Sequence, residues 1–536
     1  MFTAKSSLLA GLSLLGSLSL AHADSAQNKP NILFIFSDDH ALRSISAYGG
    51  DLAKIAPTPN IDRLANEGAI FNNSFCANSI CGPSRACILT GKHSHKNGFL
   101  RNAGGGGLDQ SQWTIAKALK KGGYTTAVIG KWHLKNNPVG FDYWEILPGQ
   151  GSYYNPDFKQ MDGGRKRFTG YATDVTTDKA IAWLDRRDKT KPFFLMCQHK
   201  APHRTFAPAL RHLDAFGDIE IPEPDSLFDD YANRSKTLPK NEMEIDRHFR
   251  WSYDAKVRKE EVGDVKLPPS PVGGPVEYRR MNSEQKAKWD AHFGPKNKKF
   301  LADVAAGKLT HKQIVKWKYQ RYMKNYLGTV KAVDDSVGRM LEYLKKNGLE
   351  KNTIVIYSSD QGFYLGEHGW YDKRWMFEES FKMPFLIRWP GVIKPGAKPT
   401  QMIQNIDYAP TFAAAAGLKF PAEVQGESML PIFKGEVKNW RQSLYYAYYE
   451  IGEHAVPQHF GVRTHTHKLF YIPSTKEWQM FDLIKDPQEM VSVYGKPEYA
   501  EVQQKLSAEY NRLRKLYQAP SYEAHAPKAL RKKPAK

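Results

Sequence analysis

The sequence predicts an α/β architecture: a large mixed, mostly parallel sheet sandwiched by helices, followed by a smaller C-terminal subdomain of antiparallel sheet plus helix. Three observations lead there. Four apolar runs of strand length each finish in acid/base or metal-binding side chains, as parallel strands do when both faces are buried and a ligand site lies along their C-terminal edge. Apolar residues at helical spacing recur between these runs, so strands and helices alternate. Beyond residue 420 the pattern changes to short strands rich in Tyr, Phe and Val, separated by turns.

The first run, Asn31 to Phe36, ends in Ser37-Asp38-Asp39-His40, placing two carboxylates at the edge of the sheet. Pro59 to Gly68 reads as a helix with Ile61, Leu64 and Ala65 on one face, and Trp113 to Lys121 as another. Gly123 to Gly130 is a strand running into Lys131-Trp132-His133. Phe193 to Met196 runs out into Gln198-His199-Lys200-Ala201-Pro202-His203, and Thr353 to Tyr357 into Ser358-Ser359-Asp360-Gln361-Gly362. Residues 204–310 are charged and proline-containing, which predicts an insertion of loops and short helices packed on the sheet, of the kind used as a lid or for substrate binding. His311 to Lys346 carries apolar residues at helical spacing and stops at Asn347-Gly348. Phe385 to Trp389 is a further strand, and a helix from Asp407 closes the main domain, 24–420. The subdomain, 421–520, holds strands at Leu444–Tyr449, Phe460–Arg463, Lys468–Ile472 and Trp478–Leu483 and a helix from about Tyr499 to Tyr517; 521–536 reads as a basic tail.

Residues 1–23 read as a signal peptide, with Lys5 before an apolar core from Leu8 to Leu20 and cleavage after Ala23 in Ala21-His22-Ala23. The core is too short to span a membrane, so a periplasmic or secreted protein is expected. Four cysteines in 536 residues cannot make a disulfide framework. Lys plus Arg number 77 against 56 Asp plus Glu, a net charge of +21, and such a surface attracts polyanions. For an exported chain an acidic glycan matches this better than nucleic acid; a role in solubility alone is the plainer reading.

The stretch that carries the chemistry is Cys81-Gly82-Pro83-Ser84-Arg85-Ala86-Cys87-Ile88-Leu89-Thr90-Gly91. Proline is tolerated in a first helical turn, so Cys81 is expected at or just before a helix N-terminus, where free N–H groups and Arg85 favour an anion. A small disulfide loop from Cys81 to Cys76 or Cys87 is the alternative. Cys81, Pro83, Ser84, Arg85, Leu89, Thr90 and Gly91 fall at the spacing of the maturation motif of the formylglycine-dependent type I sulfatases. The chain resembles that family, within the alkaline-phosphatase superfamily, from Asn31 to about Tyr499.

The resemblance implies an alkaline-phosphatase-like fold and oxidation of Cys81 to formylglycine by a maturation enzyme. It implies metal ligation by Asp38, Asp39, residue 81, Asp360 and Gln361, by calcium or alternatively magnesium. Gln361 stands where Asn or His is more usual, and its amide oxygen offers the same donor on a longer arm. Arg85, Lys131, His133, His203 and Lys373 match the family's catalytic residues. The hydrated aldehyde would attack sulfur, His203 and Lys373 would assist the leaving sugar oxygen, and His133 would help expel sulfate. Asp372 and Arg374 flank Lys373 and are expected to reach sugar hydroxyls, with His454 and His459 at the pocket rim. Ser44 to Gly50 and Gly366 to Met376 look most like sulfatases acting on 6-sulfated N-acetylglucosamine. Other polysaccharide esters (carrageenan, ulvan, glycosaminoglycan), a phosphonate or phosphodiester hydrolase of the same superfamily, and a secreted protein that binds sulfated glycan without turnover are the alternatives. Oligomeric state is not legible.

Overall fold

Asn31–Asp38 is buried along its whole length and lies near the middle of a nine-stranded sheet. The computed structural model describes residues 29–104 and 106–525; the segments read as signal peptide and basic tail lie largely outside them. Across the sheet the order is Ala69–Ile70, Phe385–Arg388, Thr353–Ser359, Asn31–Asp38, Phe193–Pro202, Thr125–Lys131, Tyr143–Leu147, Asp157–Gln160 and Arg165–Arg167. The five strands from Thr353–Ser359 to Tyr143–Leu147 are mutually parallel, and each strand outside them pairs antiparallel with its inner neighbour. The predicted mixed, mostly parallel sheet is therefore present, and its extension past Tyr143 was not legible. Arg165–Arg167 is an exposed, fully charged edge strand with none of the apolar alternation that marks a strand in sequence.

Alternate side chains of the central strand serve two cores. Phe34 and Phe36 pack with Ile88, Leu89, Leu119 and Phe412 from helices Cys81–Thr90, Ile115–Lys121 and Tyr408–Ala415. Leu33 and Ile35 face Leu64, Trp183 and Val337 from helices Pro59–Asn66, Ala172–Arg186 and His311–Lys346. Helices on both faces explain why the strands read as unbroken apolar runs. Parallel register then brings the strand ends to one edge: Ser37 pairs with Ser359, Asp38 with Pro202, and Gly130 with Gln198. Asp38, Lys131, His203 and Asp360, far apart in sequence, become neighbours.

The insertion differs from its predicted form. It contains a helix of 23 residues, Ser283–Ala305, opened by a capping box in which Asn282 and Gln285 exchange side-chain-to-backbone hydrogen bonds. Gly294-Pro295 in its middle reads as a turn in sequence. Burial overrides that local preference, because Trp289 and Phe293 enter the core under the sheet while Phe300 and Leu301 enter a third cluster with Tyr319 and Met323. The long helix runs over His311–Lys346 as expected.

The C-terminal subdomain is a four-stranded antiparallel sheet, Ser443–Tyr448, His459–Thr464, His467–Ile472 and Glu477–Asp482, with helix Ala500–Leu516 on one face. Tyr446, Phe470 and Phe481 on the other face join the main core against Trp375 and Phe377. All four cysteines are free and buried, which removes the disulfide alternative for Cys81. Among the described residues no helix is long and apolar enough to cross a membrane.

One glycine sets the turn after Thr353–Ser359. A Cβ on Gly362 would meet the carbonyl oxygens of Glu379 and Lys382 at 2.1 and 2.2 Å, while its N–H donates to Ser380 O at 3.0 Å. Replacement of Gly362 by Ala is expected to cost about 3 kcal/mol, the upper end for overpacking, read as a lower denaturant midpoint at unchanged slope.

Candidate active site

Cys81 is the first residue of the helix Cys81–Thr90, entered from Ile80 in extended conformation. Pro83 fits the first turn, and Gly91 in left-handed conformation (φ 66°) closes the helix by donating its N–H to Cys87 O at 2.8 Å. All ten helical residues are buried. A Cβ on Gly82 would come within 2.6 Å of Asn102 Oδ1 and Phe99, and 3.1 Å of the His133 carbonyl, so the residue between Cys81 and Pro83 has to be small. Burial pushes the Cys81 thiol well above the usual range. It is held as a thiol, a weak nucleophile, and its Sγ occupies the place an aldehyde oxygen would take after oxidation.

Around it, ligating atoms of Asp38, Asp39, Cys81 and His203 lie within 4.8 Å of one another. Asp360 joins them through its Oδ1, which accepts the Asp39 N–H at 3.1 Å. Gln361 turns its amide nitrogen to the Asp39 carboxylate, and its Oε1 is buried without a hydrogen bond, as is Asp38 Oδ1. Exchanging the amide oxygen and nitrogen of Gln361 directs an oxygen toward the same cluster. Three buried carboxylates, an amide oxygen and unpartnered oxygen atoms are the donor set of a hard divalent ion, so the residues present fit one.

Three basic side chains face the carboxylates; burial pulls Lys131 well below its usual range, opposed by the nearby Asp360 carboxylate. Arg85 donates from Nε to Asp360 Oδ2 at 3.1 Å and from Nη1 to the Lys131 carbonyl at 2.6 Å and Gln198 Oε1 at 3.1 Å, while its Nη2 lies in ion-pair range of Asp360 Oδ2 at 3.1 Å and of Asp38 Oδ1 at 3.7 Å. Lys131 contacts Asp38 and Gln150. Lys373 donates to both oxygens of Asp39, at 2.6 and 2.7 Å; burial opposes its charge, and the Asp39 carboxylate outweighs it and holds the ammonium well above its usual range. His203 Nδ1 faces the Arg204 carbonyl at 2.6 Å, which assigns the ring proton to Nδ1 and leaves Nε2 toward Asp39 Oδ2 at 3.6 Å. Burial and the neighbouring Lys131 push both His203 and His133 well below their ordinary value, so both rings are neutral; His133 Nδ1 is buried without a hydrogen bond.

The backbone is strained here. Asp39, His133, Asp372 and Arg374 have φ of 67°, 57°, 84° and 102°, conformations non-glycine residues adopt rarely and which cluster at functional sites. At Asp39 the turn is held from the long helix, where the Tyr326 hydroxyl donates to Asp39 O at 2.7 Å and accepts the Ala41 N–H at 2.9 Å.

Beside Lys373, Asp372 lies 3.2 Å from both Arg374 Nη2 and His454 Nε2. Although burial opposes its charge, Arg374 and Lys373 hold Asp372 well below the usual carboxylate range. Asp372 Oδ1 and Arg374 Nε are buried without hydrogen bonds. His454 is clamped by the insertion, its Nδ1 and carbonyl each bonding the Glu242 backbone at 2.8 Å. His459 is not brought to the rim. It is fully buried behind the site, its ring stacked at 4.9 Å on Trp375 and 5.1 Å on Tyr448, because it opens a subdomain strand whose inward face is the core. Gln150, Gln198, Tyr326 and Asn405 were not singled out from the sequence; Asn405 donates to Ser84 Oγ at 2.7 Å, and Ser84 in turn bonds the Asp360 carbonyl. Only Gln198, at a strand end, carried a signal that could have found it.

A sequence model described as "Sulfatase" matches residues 30–418, and one described as "N-sulphoglucosamine sulphohydrolase, C-terminal" matches 366–516. The chain belongs to the sulfatase family. It is a sulfuric ester hydrolase with the alkaline-phosphatase-like fold. An N-acetylglucosamine-6-O-sulfatase of Bacteroides thetaiotaomicron is 46% identical over 512 residues, covering 94% of this sulfatase and 89% of the relative. A structure solved in complex with its substrate D-glucosamine-2-N,6-O-disulfate superposes with a TM-score of 0.85 at 45% identity, covering 91% of this chain and 98% of the other. The phosphonate monoester hydrolase of Agrobacterium radiobacter, at 20% identity, a TM-score of 0.61 and coverage of 91% and 96%, shares the fold alone.

A divalent ion that binds only the folded sulfatase stabilises it by mass action. At about a hundred times its dissociation constant the expected gain is about 2.7 kcal/mol, measured by denaturant unfolding of metal-stripped protein with calcium and with magnesium. Asp360→Asn is expected to remove most of that gain.

Proposed function

We propose that this sulfatase removes the 6-O-sulfate from glucosamine-type sugars of a sulfated glycan, using formylglycine made from Cys81 and calcium. The observation that carries the substrate is the Asp372–Arg374–His454 cluster beside Lys373, in which Asp372 Oδ1, 3.7 Å from Lys373, and Arg374 Nε lack hydrogen bonds and suit sugar hydroxyls next to the sulfated position. The identity to an N-acetylglucosamine-6-O-sulfatase over nearly the whole chain supports the same reading.

Asp38, Asp39, Asp360 and Gln361 would hold the calcium, which supplies positive charge against the sulfate oxygens. The hydrated aldehyde of residue 81 supplies two hydroxyls, one to attack sulfur and one to re-form the aldehyde, a pair that a thiol lacks. The remaining work falls to the chain's own side chains. A sulfate ester is anionic and repels an oxygen nucleophile, so Arg85, Lys131 and Lys373 neutralise the sulfate as it enters. Lys373, kept protonated by Asp39, offers charge and a proton at the leaving sugar oxygen. His203 keeps its Nδ1 proton on the Arg204 carbonyl and presents Nε2 to the same region. His133 is neutral and accepts the proton whose removal expels sulfate. Asp372 and Arg374 fix the sugar so that its ester oxygen meets Lys373.

Catalysis in the periplasm or outside the cell, and oxidation of Cys81 by a formylglycine-generating enzyme, complete this reading; the first rests on the signal peptide read at 1–23. The peptide containing residue 81, from protein made in its own host, is expected to be lighter by the difference between a thiol and an aldehyde and to label with a hydrazide. A wholly thiol Cys81 in that protein would remove the hydrolase reading for it. The matured enzyme is expected to release sulfate from 6-sulfated N-acetylglucosamine and to prefer aryl sulfate over aryl phosphate diester, with Cys81→Ala inactive. Arg374→Ala is expected to lower kcat/KM on the sugar by about tenfold to a hundredfold, the worth of one charged hydrogen bond, with much less effect on an aryl sulfate.

A further inference from the structure

A cleft of about 770 Å³ opens directly beyond the sugar-facing cluster: Tyr371 and His454 form one wall, His311 at the start of the long helix lines it, and the rest is built by the insertion, including Glu242, His248, Arg250 and the run Pro268 to Pro271. Tyr371 immediately precedes Asp372, and His454 touches it, so a sugar held by Asp372 and Arg374 has its neighbour in this cleft.

The charges lining the cleft are mostly spent. Arg247 is paired with Glu244, and Asp246 with His311 at 3.0 Å. Glu242, with no ion pair, is exposed. Arg250 is half-buried, makes no ion pair among the described residues, and its Nε is buried without a hydrogen bond. Its position is nonetheless fixed. The main-chain N–H donates to Asp254 Oδ2 at 2.9 Å, the guanidinium lies 5.6 Å from the Tyr253 ring centre, and Gly273 packs so closely that a Cβ would meet Arg250 Cδ at 2.8 Å. Asp254 itself is bound by Arg204 at 2.7 and 2.5 Å and is not available to neutralise Arg250. The opposite wall is stiff, since prolines pre-set its backbone and Trp251 Nε1 anchors it by donating to Pro268 O at 2.9 Å. A prepositioned, unneutralised guanidinium in a walled cleft is a site for an anionic oxygen group.

We infer that this cleft binds the sugar next to the sulfated one and that Arg250 receives an anionic substituent on it, a carboxylate or a second sulfate, so that the preferred substrate is an acidic oligosaccharide rather than an isolated sulfated sugar. This rests on the proposed action on 6-sulfated glucosamine sugars and specifies the chain that presents them.

The test compares three disaccharides carrying the same 6-sulfated glucosamine, with a neutral, a uronate or a sulfated neighbour. It uses kcat/KM of the matured enzyme and, separately, calorimetric binding to the inert Cys81→Ala protein. The acidic disaccharides are expected to exceed the neutral one by about tenfold in both measurements, the effect of one charged hydrogen bond, and Arg250→Gln is expected to bring that ratio to about one. Which acidic disaccharide leads identifies the group Arg250 receives. Equal binding of all three, or a ratio unchanged in Arg250→Gln, overturns the inference while leaving turnover of 6-sulfated sugars intact. No turnover of any of them, with the Arg250-dependent binding preference present, overturns the substrate reading alone.

Discussion

Three carboxylates, Asp38, Asp39 and Asp360, are buried side by side at one edge of the sheet, and the site depends on their charge being met. Alone they would repel one another across a medium that screens poorly. Arg85 from the motif helix meets Asp360 and Asp38, Lys131 from the end of a neighbouring strand meets Asp38, and Lys373 from the loop after Thr353–Ser359 meets Asp39. The same cations are what an incoming sulfate needs. On the proposed function, substrate recognition and the integrity of the protein draw on one set of contacts, and Asp38 Oδ1 and Gln361 Oε1, buried without hydrogen bonds, are the atoms a further cation would meet.

Parallel register turns this local chemistry into a fold-level requirement. Asp38, Lys131, His203 and Asp360 meet because Asn31–Asp38, Thr125–Lys131, Phe193–Pro202 and Thr353–Ser359 run the same way and stop at the same edge. The strands themselves were legible as unbroken apolar runs followed at once by polar chelating groups. The motif helix was legible from its proline, and its residues from their family spacing. What escaped was whatever tertiary contact decides. Gly294-Pro295 signals a turn but sits inside a helix because four aromatic and aliphatic side chains around it find two cores. Tyr326 and Asn405 are ordinary helix and loop residues until the fold carries them to Asp39 and Ser84. His459 was misplaced because sequence shows a histidine near His454 and not which face of its strand points inward.

On the proposed function, sugar recognition is divided among three parts of the chain. Asp372 and Arg374 come from the sheet-edge loop, His454 from the C-terminal subdomain, and the cleft beyond from the insertion. The insertion reaches across to bond His454 through the Glu242 backbone and holds Tyr371 against its own main chain, where Tyr371 N–H donates to Met243 O at 2.9 Å. A change in the insertion can therefore move specificity groups it does not contain, while the nucleophile and the ion cluster stay on the rigid sheet.

The burial of all ten residues of Cys81–Thr90 has a consequence for how active protein is made. On the proposed maturation, no enzyme could dock on that segment once the helix is packed, so oxidation of Cys81 would have to precede closure of the core around it. The proportion of competent molecules would then be decided by a race between two rates, folding of the chain and encounter with an oxidising partner, and a molecule that folded first would be well ordered and inert. On that proposal, slower folding would raise specific activity without altering one contact in the finished structure.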